Sequence, residues 1–153
     1  MVQRLVASAV NRRLGTARDV NSHGEYVEKL VEALDHPEPG TRVHAAWILG
    51  ELRARVAVDA LVKVIETCRD DPELLAVAVE SLGKIGSDAA VGPLVRLSEQ
   101  SPLKARLAAV HVLGRWVDRQ EVRDALGRAL HDRSALVRAA AAEALAPWQQ
   151  AAQ

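Results

Sequence analysis

Apolar residues recur along this chain at the three- and four-residue spacing of helix faces, and no segment shows the strict alternation that is typical of a strand. The pattern predicts helices that are joined into antiparallel pairs by short connectors. An opening pair is predicted over residues 2–14 and 24–35, with a connector over residues 15–23. Further pairs are predicted at 39–52 with 56–68, 71–85 with 88–99, and 102–116 with 119–131, followed by a last helix over 134–146 that ends at Pro147.

The helices repeat with a period of about 32 residues, a pattern that is typical of stacked helical arrays. The first helices of successive pairs align on four leucines: Leu49, Leu82, Leu113 and Leu145. Four positions earlier each has an alanine: Ala45, Ala78, Ala109 and Ala141. The residue after the leucine is small in every case: Gly50, Gly83, Gly114 and Ala146. The second helices align in the same way: Leu30, Leu61, Leu94 and Leu126.

Each aligned position suggests a structural role. The alanines allow helices to approach closely, so a large residue there is expected to overpack the core by about 1–3 kcal/mol. The glycines are expected to end or bend the first helices, because glycine tolerates the left-handed backbone that closes a helix. Helix starts are predicted at Asp71–Pro72 and Ser101–Pro102, and capping boxes are predicted at two pairs with the required spacing. These pairs are Ser22 with Glu25 and Asp118 with Glu121.

The stretch from Pro39 to Gly50, with Arg42–Val43, Ala45–Ala46 and Leu49–Gly50, resembles the first helix of a HEAT repeat. It is similar to the short subtype that also occurs in phycobilin lyases. The resemblance implies an all-α, right-handed superhelix of about four to five hairpins in a single domain, 1–153. Residues 1–36 are then an irregular cap, 37–69, 70–100 and 101–132 are full repeats, and 133–153 are a half repeat. Two positions depart from the family pattern, since Leu75 replaces an arginine and Ala146 replaces a glycine.

Composition narrows the possible classes of protein. The 153 residues are 49% hydrophobic and carry 20 basic and 20 acidic side chains, so the formal net charge is zero. High apolar content with no net charge argues against a disordered chain. The single Cys68 excludes a disulfide framework and favours the reducing cytoplasm. No apolar run has the length of a membrane span. The charge of the whole chain shows no excess of basic residues, which a nucleic-acid binder would normally have.

The N-terminal segment is predicted to be an amphipathic helix rather than a secretory leader, because Arg12 and Arg13 directly follow its short apolar stretch. Residues 1–18 contain four arginines and no acidic residue. One side of the predicted helix is apolar and consists of Leu5, Val6, Ala9, Val10 and Leu14.

No motif for catalysis is present. Serine triads, phosphate-binding glycine loops and zinc-ligand spacings do not occur, and the five histidines are scattered. The sequence therefore predicts a non-enzyme with no metal and no cofactor. The resemblance implies a platform that binds another protein. Two alternatives stay open: a bilin-lyase-like protein that handles a chromophore, and a nucleic-acid binder that uses the arginine-rich segment 104–138. The second is disfavoured, because acidic residues interleave with those arginines.

The candidate binding residues lie on the second helices. Basic residues stand two positions after three of the aligned leucines, at Lys63, Arg96 and Arg128. Acidic residues stand two positions before two of them, at Asp59 and Asp124. Second helices of HEAT-like stacks line the concave side, so the resemblance places these charges in a ladder facing a partner. Alternatively, Asp59 with Lys63 and Asp124 with Arg128 are only exposed pairs within one helix turn.

Two aromatic residues are also candidates. Trp47 occupies a position where the other repeats have Glu80, His111 and Glu143, so it either covers the opening pair or anchors a partner. The last helix has no second helix after it, and its apolar flank is expected to need a cover. That flank consists of Val137, Ala141, Ala144 and Leu145. A tail folded back through Trp148, a second copy or a partner would supply the cover, so the chain is expected to be a monomer or a weak dimer.

Overall fold

The computed structural model describes the backbone of residues 19–153 and the side chains from His23 onward. All regular elements in this part of the chain are helical. The α-helices are α1 (Asp19–Ala33), α2 (Pro39–Glu51), α3 (Val58–Thr67), α4 (Pro72–Ile85), α5 (Val91–Gln100), α6 (Leu103–Leu113), α7 (Gln120–Ala129) and α8 (Ala135–Ala151). Short 3-10 turns connect three of the pairs: Arg55–Ala57, Asp88–Ala90 and Gly114–Trp116.

The helices stack in two parallel rows. The first helices α2, α4, α6 and α8 pack one after another, and each second helix (α1, α3, α5 and α7) packs against the first helix of the next repeat. One continuous hydrophobic cluster runs along the interface of the two rows. The predicted all-α solenoid is therefore confirmed, and its core is a linear seam to which each repeat contributes.

The aligned alanines and leucines form this seam. All four alanines and all four leucines of the first helices are buried, and Ala78, Ala109 and Ala141 have no exposed surface. The aligned leucines of the second helices are buried as well. Small and aliphatic side chains in register thus allow the two rows to lie close together.

The glycines after the leucines have a different role from the predicted one. Gly50 and Gly83 lie inside α2 and α4, and Gly114 has an ordinary right-handed φ of −53°. A Cβ at Gly50 would lie 2.7 Å from the Cβ of Ser81, and one at Gly83 would lie 2.8 Å from Val112. The prediction that the glycine ends the helix is therefore wrong at Gly50 and Gly83, whereas α6 does end at Leu113 with Gly114 as its C-cap in a right-handed conformation. The glycines let the next first helix approach, whereas the left-handed residues that follow these helices are Arg53 and Gly86.

Two helix boundaries also differ from the prediction. Helix α1 begins at Asp19, so the positions of Ser22 and Glu25 lie within it and not at a helix start. Helix α8 continues through Pro147 to Ala151 instead of ending there. Pro147 is exposed, so water can hydrate the carbonyl that the proline leaves without a donor. The predicted helix over 2–14 lies outside the described residues.

Only one predicted helix cap has its expected geometry. The Asp71 side chain accepts a hydrogen bond from the backbone N–H of Leu74 at 3.0 Å, directly before Pro72. The N-cap of α6 is Pro102 rather than Ser101, and no side chain caps it. The N-cap of α7 is Arg119, so Asp118 stands one residue too early to cap this helix.

Ion pairs join neighbouring first helices at two of the three junctions. Arg42 contacts Asp71 at 3.3 Å, and Arg106 contacts Asp132 at 3.0 Å. At the middle junction the equivalent residue is Leu75, which is fully buried. Leu75 thus provides an apolar contact at the junction where the other two junctions have an arginine in an ion pair.

The last helix does not present the flank that was predicted. Val137, Ala141 and Leu145 are buried in the hydrophobic cluster and Ala144 packs against it while partly buried, so the expectation that this flank lacks a neighbour is wrong. The exposed residues of α8 include Leu136, which is 61% exposed, together with Arg138 and Ala142. Trp148 lies on α8 with its ring 4.7 Å below the guanidinium of Arg123 on α7, and it is 41% exposed.

Candidate protein-interaction surface

The second helices present a continuous charged surface, which we call the ridge. It consists of the exposed sides of α3, α5 and α7 and carries Asp59, Lys63, Arg96, Asp124 and Arg128. All five side chains are exposed, as an interaction surface requires. Because α3 packs beside α5 and α5 beside α7, the structure brings these predicted residues together on neighbouring helices.

The basic residues of the ridge form ion pairs between repeats. Arg96 on α5 contacts Glu66 on α3 at 2.6 Å, and Arg128 on α7 contacts Glu99 on α5 at 2.7 Å. The predicted pairing of Asp124 with Arg128 is not formed, and Asp124 accepts a hydrogen bond from Gln120 instead. These pairs are exposed, so each contributes only about 0–1 kcal/mol. Their main effect is to fix the order of charges along the ridge.

Glu66 and Glu99 were missed in the sequence-based selection of ridge residues. Both stand five positions after an aligned leucine, Leu61 or Leu94, so the repeat alignment contained the signal. Lys63 has the position of Arg96 and Arg128 but forms no ion pair with any residue from 23 to 153. The ridge thus combines two neutralised pairs with one exposed ammonium group.

A polar cleft of about 450 Å³ opens where the ridge meets the start of α6. Its lining includes Glu99, which also belongs to the ridge pair with Arg128. The remaining lining residues are Gln100, Ser101, Arg106, Asp132 and Arg133. The cleft is therefore continuous with the ridge and extends it toward the first helices.

Arg106 is the structural centre of this cleft. Its guanidinium is buried and donates two hydrogen bonds of 3.0 Å to the two carboxylate oxygens of Asp132. A third N–H donates to the backbone carbonyl of Ser101 at 2.8 Å. The hydrogen bond from Arg106 lowers the pKa of Asp132 below 3.8, although partial burial opposes this shift. The pair is charged and mutually neutralised, which suits a structural role.

The arginine-rich segment is largely engaged in contacts within the chain. Arg119 pairs with Asp88 at 2.5 Å, and Arg115 donates to the backbone carbonyl of Gly83. Arg123 donates to the carbonyls of Val117 and Asp118 and lies over Trp148. An acidic side chain and backbone carbonyls thus bind guanidinium groups that a phosphate backbone would otherwise contact.

Trp47 does not belong to the ridge, because it lies on the first helix α2. It is half-buried and stands outside the hydrophobic cluster, while the equivalent Glu80, His111 and Glu143 are exposed. The structure therefore separates Trp47 from the other predicted binding residues.

Groups with potential chemistry are isolated from one another. Cys68 is a free thiol at the C-cap of α3, with its Sγ 3.7 Å from the hydroxyl of Thr67. The Nδ1 of His36 accepts a hydrogen bond from the N–H of Glu38 at 3.1 Å. Between Asp19 and Gln153, no three His, Cys, Asp or Glu side chains form a group that would hold a metal ion. None of the described helices has the length and apolar character needed to cross a membrane.

Stacked helical hairpins, small residues at the contacts and charged surfaces on the second helices define an α-solenoid repeat protein. Residues 27–106 match the family model of HEAT repeats. The chain belongs to the HEAT-repeat family, and the resemblance seen in the sequence is confirmed. None of the curated proteins matches the chain.

Proposed function

We propose that this chain is a non-catalytic interaction module that binds another protein on the ridge of second helices. HEAT repeats generally mediate protein–protein interaction or scaffolding, and the match to this family supports the general class. The observation that carries the proposal is the pair of bridges Arg96–Glu66 and Arg128–Glu99, which connect three successive repeats into one exposed surface. A surface that spans several repeats has the extent that a protein partner requires.

The charge order of the ridge defines the chemistry of the partner. Each ridge helix carries both basic and acidic groups, so a partner with charges of only one sign gains little electrostatic attraction. A partner segment with charges of both signs, including an acidic side chain for Lys63, complements the ridge better. Such complementarity contributes to specificity and association rate more than to affinity.

Reversal of the two bridges tests the proposal. We expect the quadruple variant Glu66→Arg/Arg96→Glu/Glu99→Arg/Arg128→Glu to lose the native partners, because it inverts the charge order. It should keep a thermal unfolding midpoint close to that of the wild type, because each bridge is re-formed with its ends exchanged. Partners are measured by quantitative mass spectrometry after capture from the native cell under cross-linking conditions.

The matched control exchanges the exposed pair of Glu51 and Lys84, which joins the first helices. The variant Glu51→Lys/Lys84→Glu has the same type of charge exchange away from the ridge and should keep the partners. Proteins lost from both variants, or retained by the ridge variant, would contradict the proposed binding surface.

No described feature favours the two alternative functions. The arginines that would contact nucleic acid are engaged within the chain. The cleft is lined by polar side chains, whereas sites for small organic ligands are predominantly apolar. The free thiol of Cys68 is compatible with a reducing compartment, and we propose a cytoplasmic protein that is a monomer or a weak dimer.

A further inference from the structure

The guanidinium of Arg106 has more hydrogen-bond donors than its partners in the structure use. An arginine side chain carries five N–H groups. Three of them bind the carboxylate of Asp132 and the backbone carbonyl of Ser101. One N–H on each of the two terminal nitrogens is therefore without an acceptor among residues 23–153. The side chain is only 4% exposed and lines the polar cleft, so an acceptor placed in the cleft would satisfy these donors.

Ser101 adds a further donor to the same cleft. The residue is 6% exposed and belongs to the cleft lining. Its backbone carbonyl accepts from Arg106, whereas its hydroxyl forms no hydrogen bond with any group from His23 to Gln153. The hydroxyl does not cap α6 either, because the N-cap of this helix is Pro102. Buried polar groups usually have a partner, so this hydroxyl indicates a place where a ligand group binds.

The charges around the cleft favour an anionic ligand group. Asp132 is neutralised by Arg106, and Glu99 is neutralised by Arg128. The remaining charged residue of the lining is Arg133, which is exposed and forms no ion pair within the described part of the chain. Three cations against two carboxylates leave one positive charge in excess. A carboxylate accepts strong charge-assisted hydrogen bonds from such donors, so it suits the cleft better than an ammonium group or a neutral amide.

Exposed leucines stand beside the cleft on two neighbouring first helices. Leu103 begins α6 two residues after Ser101 and is 43% exposed. Leu136 lies in the first turn of α8, three residues after Arg133, and is 61% exposed. Helices α6 and α8 pack against each other. The cleft therefore lies between the ridge, which it meets at Glu99, and an apolar edge of the first helices.

We propose that this cleft binds the carboxylate of an acidic side chain of the partner protein. Arg106, Ser101 and Arg133 donate hydrogen bonds to the carboxylate. An adjacent apolar side chain of the partner packs on Leu103 and Leu136. The acidic residue is internal to the partner segment, because the ridge and the apolar edge continue the surface on both sides of the cleft. The inference rests on the proposed interaction function and specifies the partner's chemistry at a second place on the surface.

Titration with short peptides tests the cleft directly. The probe is the blocked peptide acetyl-Leu-Glu-Leu-amide, and its matched control is the neutral acetyl-Leu-Gln-Leu-amide. Two-dimensional NMR of the full chain follows the Nε–H signal of Arg106 and the backbone amides of Ser101 and Arg133. We expect saturable shifts of these signals, with an apparent Kd several-fold lower for the glutamate peptide than for the glutamine peptide. Equal affinities would overturn the proposal, because the carboxylate would then contribute nothing.

A third peptide, acetyl-Leu-Gln-Leu with a free carboxyl terminus, examines the source of the carboxylate. We expect it to bind more weakly than the glutamate peptide, because its charge lies at the end of the segment. Tighter binding of this peptide would overturn the assignment to an internal acidic residue.

Substitutions of the donors identify the site. Ser101→Ala and Arg133→Gln should each weaken binding of the glutamate peptide several-fold. Ser101→Ala should leave the thermal unfolding midpoint unchanged, because the hydroxyl has no partner within residues 23–153. The matched controls are Ser87→Ala and Arg55→Gln, which change the same residue types in earlier repeats and should bind the peptide like the wild type. Unchanged binding in both cleft variants, or equal losses in the controls, would contradict the proposed site.

The ridge and the cleft are separated by the variant Glu66→Arg/Arg96→Glu, which reverses the bridge that does not touch the cleft. It should bind the glutamate peptide with the affinity of the wild type. Loss of peptide binding in this variant would contradict a separate cleft site. If the cleft binds the peptide but reversal of both bridges retains the native partners, the ridge proposal alone fails. If the partners are lost on reversal but the cleft binds no peptide, the cleft proposal alone fails.

Discussion

Asp132→Asn is expected to lower the free energy of unfolding by about 3–5 kcal/mol, the usual cost when a buried ion pair loses one partner. The side chains of Arg106 and Asp132 are only 4% and 13% exposed, so the guanidinium that remains loses its charged partner where it has little contact with water. Denaturant unfolding followed by circular dichroism measures the loss at neutral pH. A loss below about 1 kcal/mol would show that the pair behaves like an exposed salt bridge.

The middle junction of the solenoid suggests the control for this variant. Leu75 replaces the arginine there and is fully buried, so an apolar residue fits this position. The double variant Arg106→Leu/Asp132→Asn should therefore recover most of the lost stability, because no buried charge is left unpaired. If the double variant is no more stable than Asp132→Asn, the cost does not come from the unpaired arginine.

The same pair predicts a dependence on pH. Arg106 lowers the pKa of Asp132 in the folded state, so the folded protein binds this proton less readily than the unfolded chain. The stabilisation from Asp132 is therefore fully present above the ordinary pKa of 3.8 and is lost as the pH falls through the lower folded value. Asp132→Asn should be less sensitive to acid than the wild type over this range. Equal acid sensitivity in urea unfolding would contradict the assignment.

Gly50→Ala is expected to destabilise the protein by about 1–3 kcal/mol, although alanine favours helices. The added Cβ would lie 2.7 Å from the Cβ and 2.8 Å from the Cα of Ser81, so part of the conflict is with the backbone of α4. Backbone atoms cannot move aside by a rotamer change. The hydrogen bond from Ser81 to the carbonyl of Ala46, 2.7 Å long, would also be strained. Thermal and denaturant unfolding measure the effect.

Gly127→Ala is the matched control for this substitution. Gly127 lies inside α7, and a Cβ there would have no heavy atom within 4 Å apart from its chain neighbours and the adjacent backbone of its own helix. The same change should therefore stabilise the protein by about 0.5–1 kcal/mol through helix propensity alone. Opposite signs at the two glycines would confirm that close packing requires Gly50. Stabilisation at both positions would show that α2 and α4 can separate without cost.

The sequence predicted the helices and the repeat well, because both depend on local periodicity. The alanine and leucine positions were identified correctly, since each repeat has to bury the same side of the same helix. The role of Gly50 was misjudged, because its close neighbour Ser81 belongs to another repeat and leaves no local signal. The end of α8 was misjudged for a related reason, since a proline near an exposed helix end does not stop the helix.

The candidate surface was predicted only in part. Lys63, Arg96 and Arg128 were selected by their register, and their exposure agrees with that choice. Their partners were not found, because helix spacing suggests pairs within one helix while Glu66 and Glu99 lie on the preceding second helix. The cleft around Arg106 was missed for the same reason, because its lining residues come from α5, α6 and the turn before α8.

Ala146 has a consequence for the design of longer arrays. It occupies the position that is glycine in the three preceding first helices, where the next helix comes within contact distance. A repeat copied from residues 70–100 and grafted after a shortened α8 would meet a methyl group at this contact. An engineer who extends the solenoid should therefore change Ala146→Gly first.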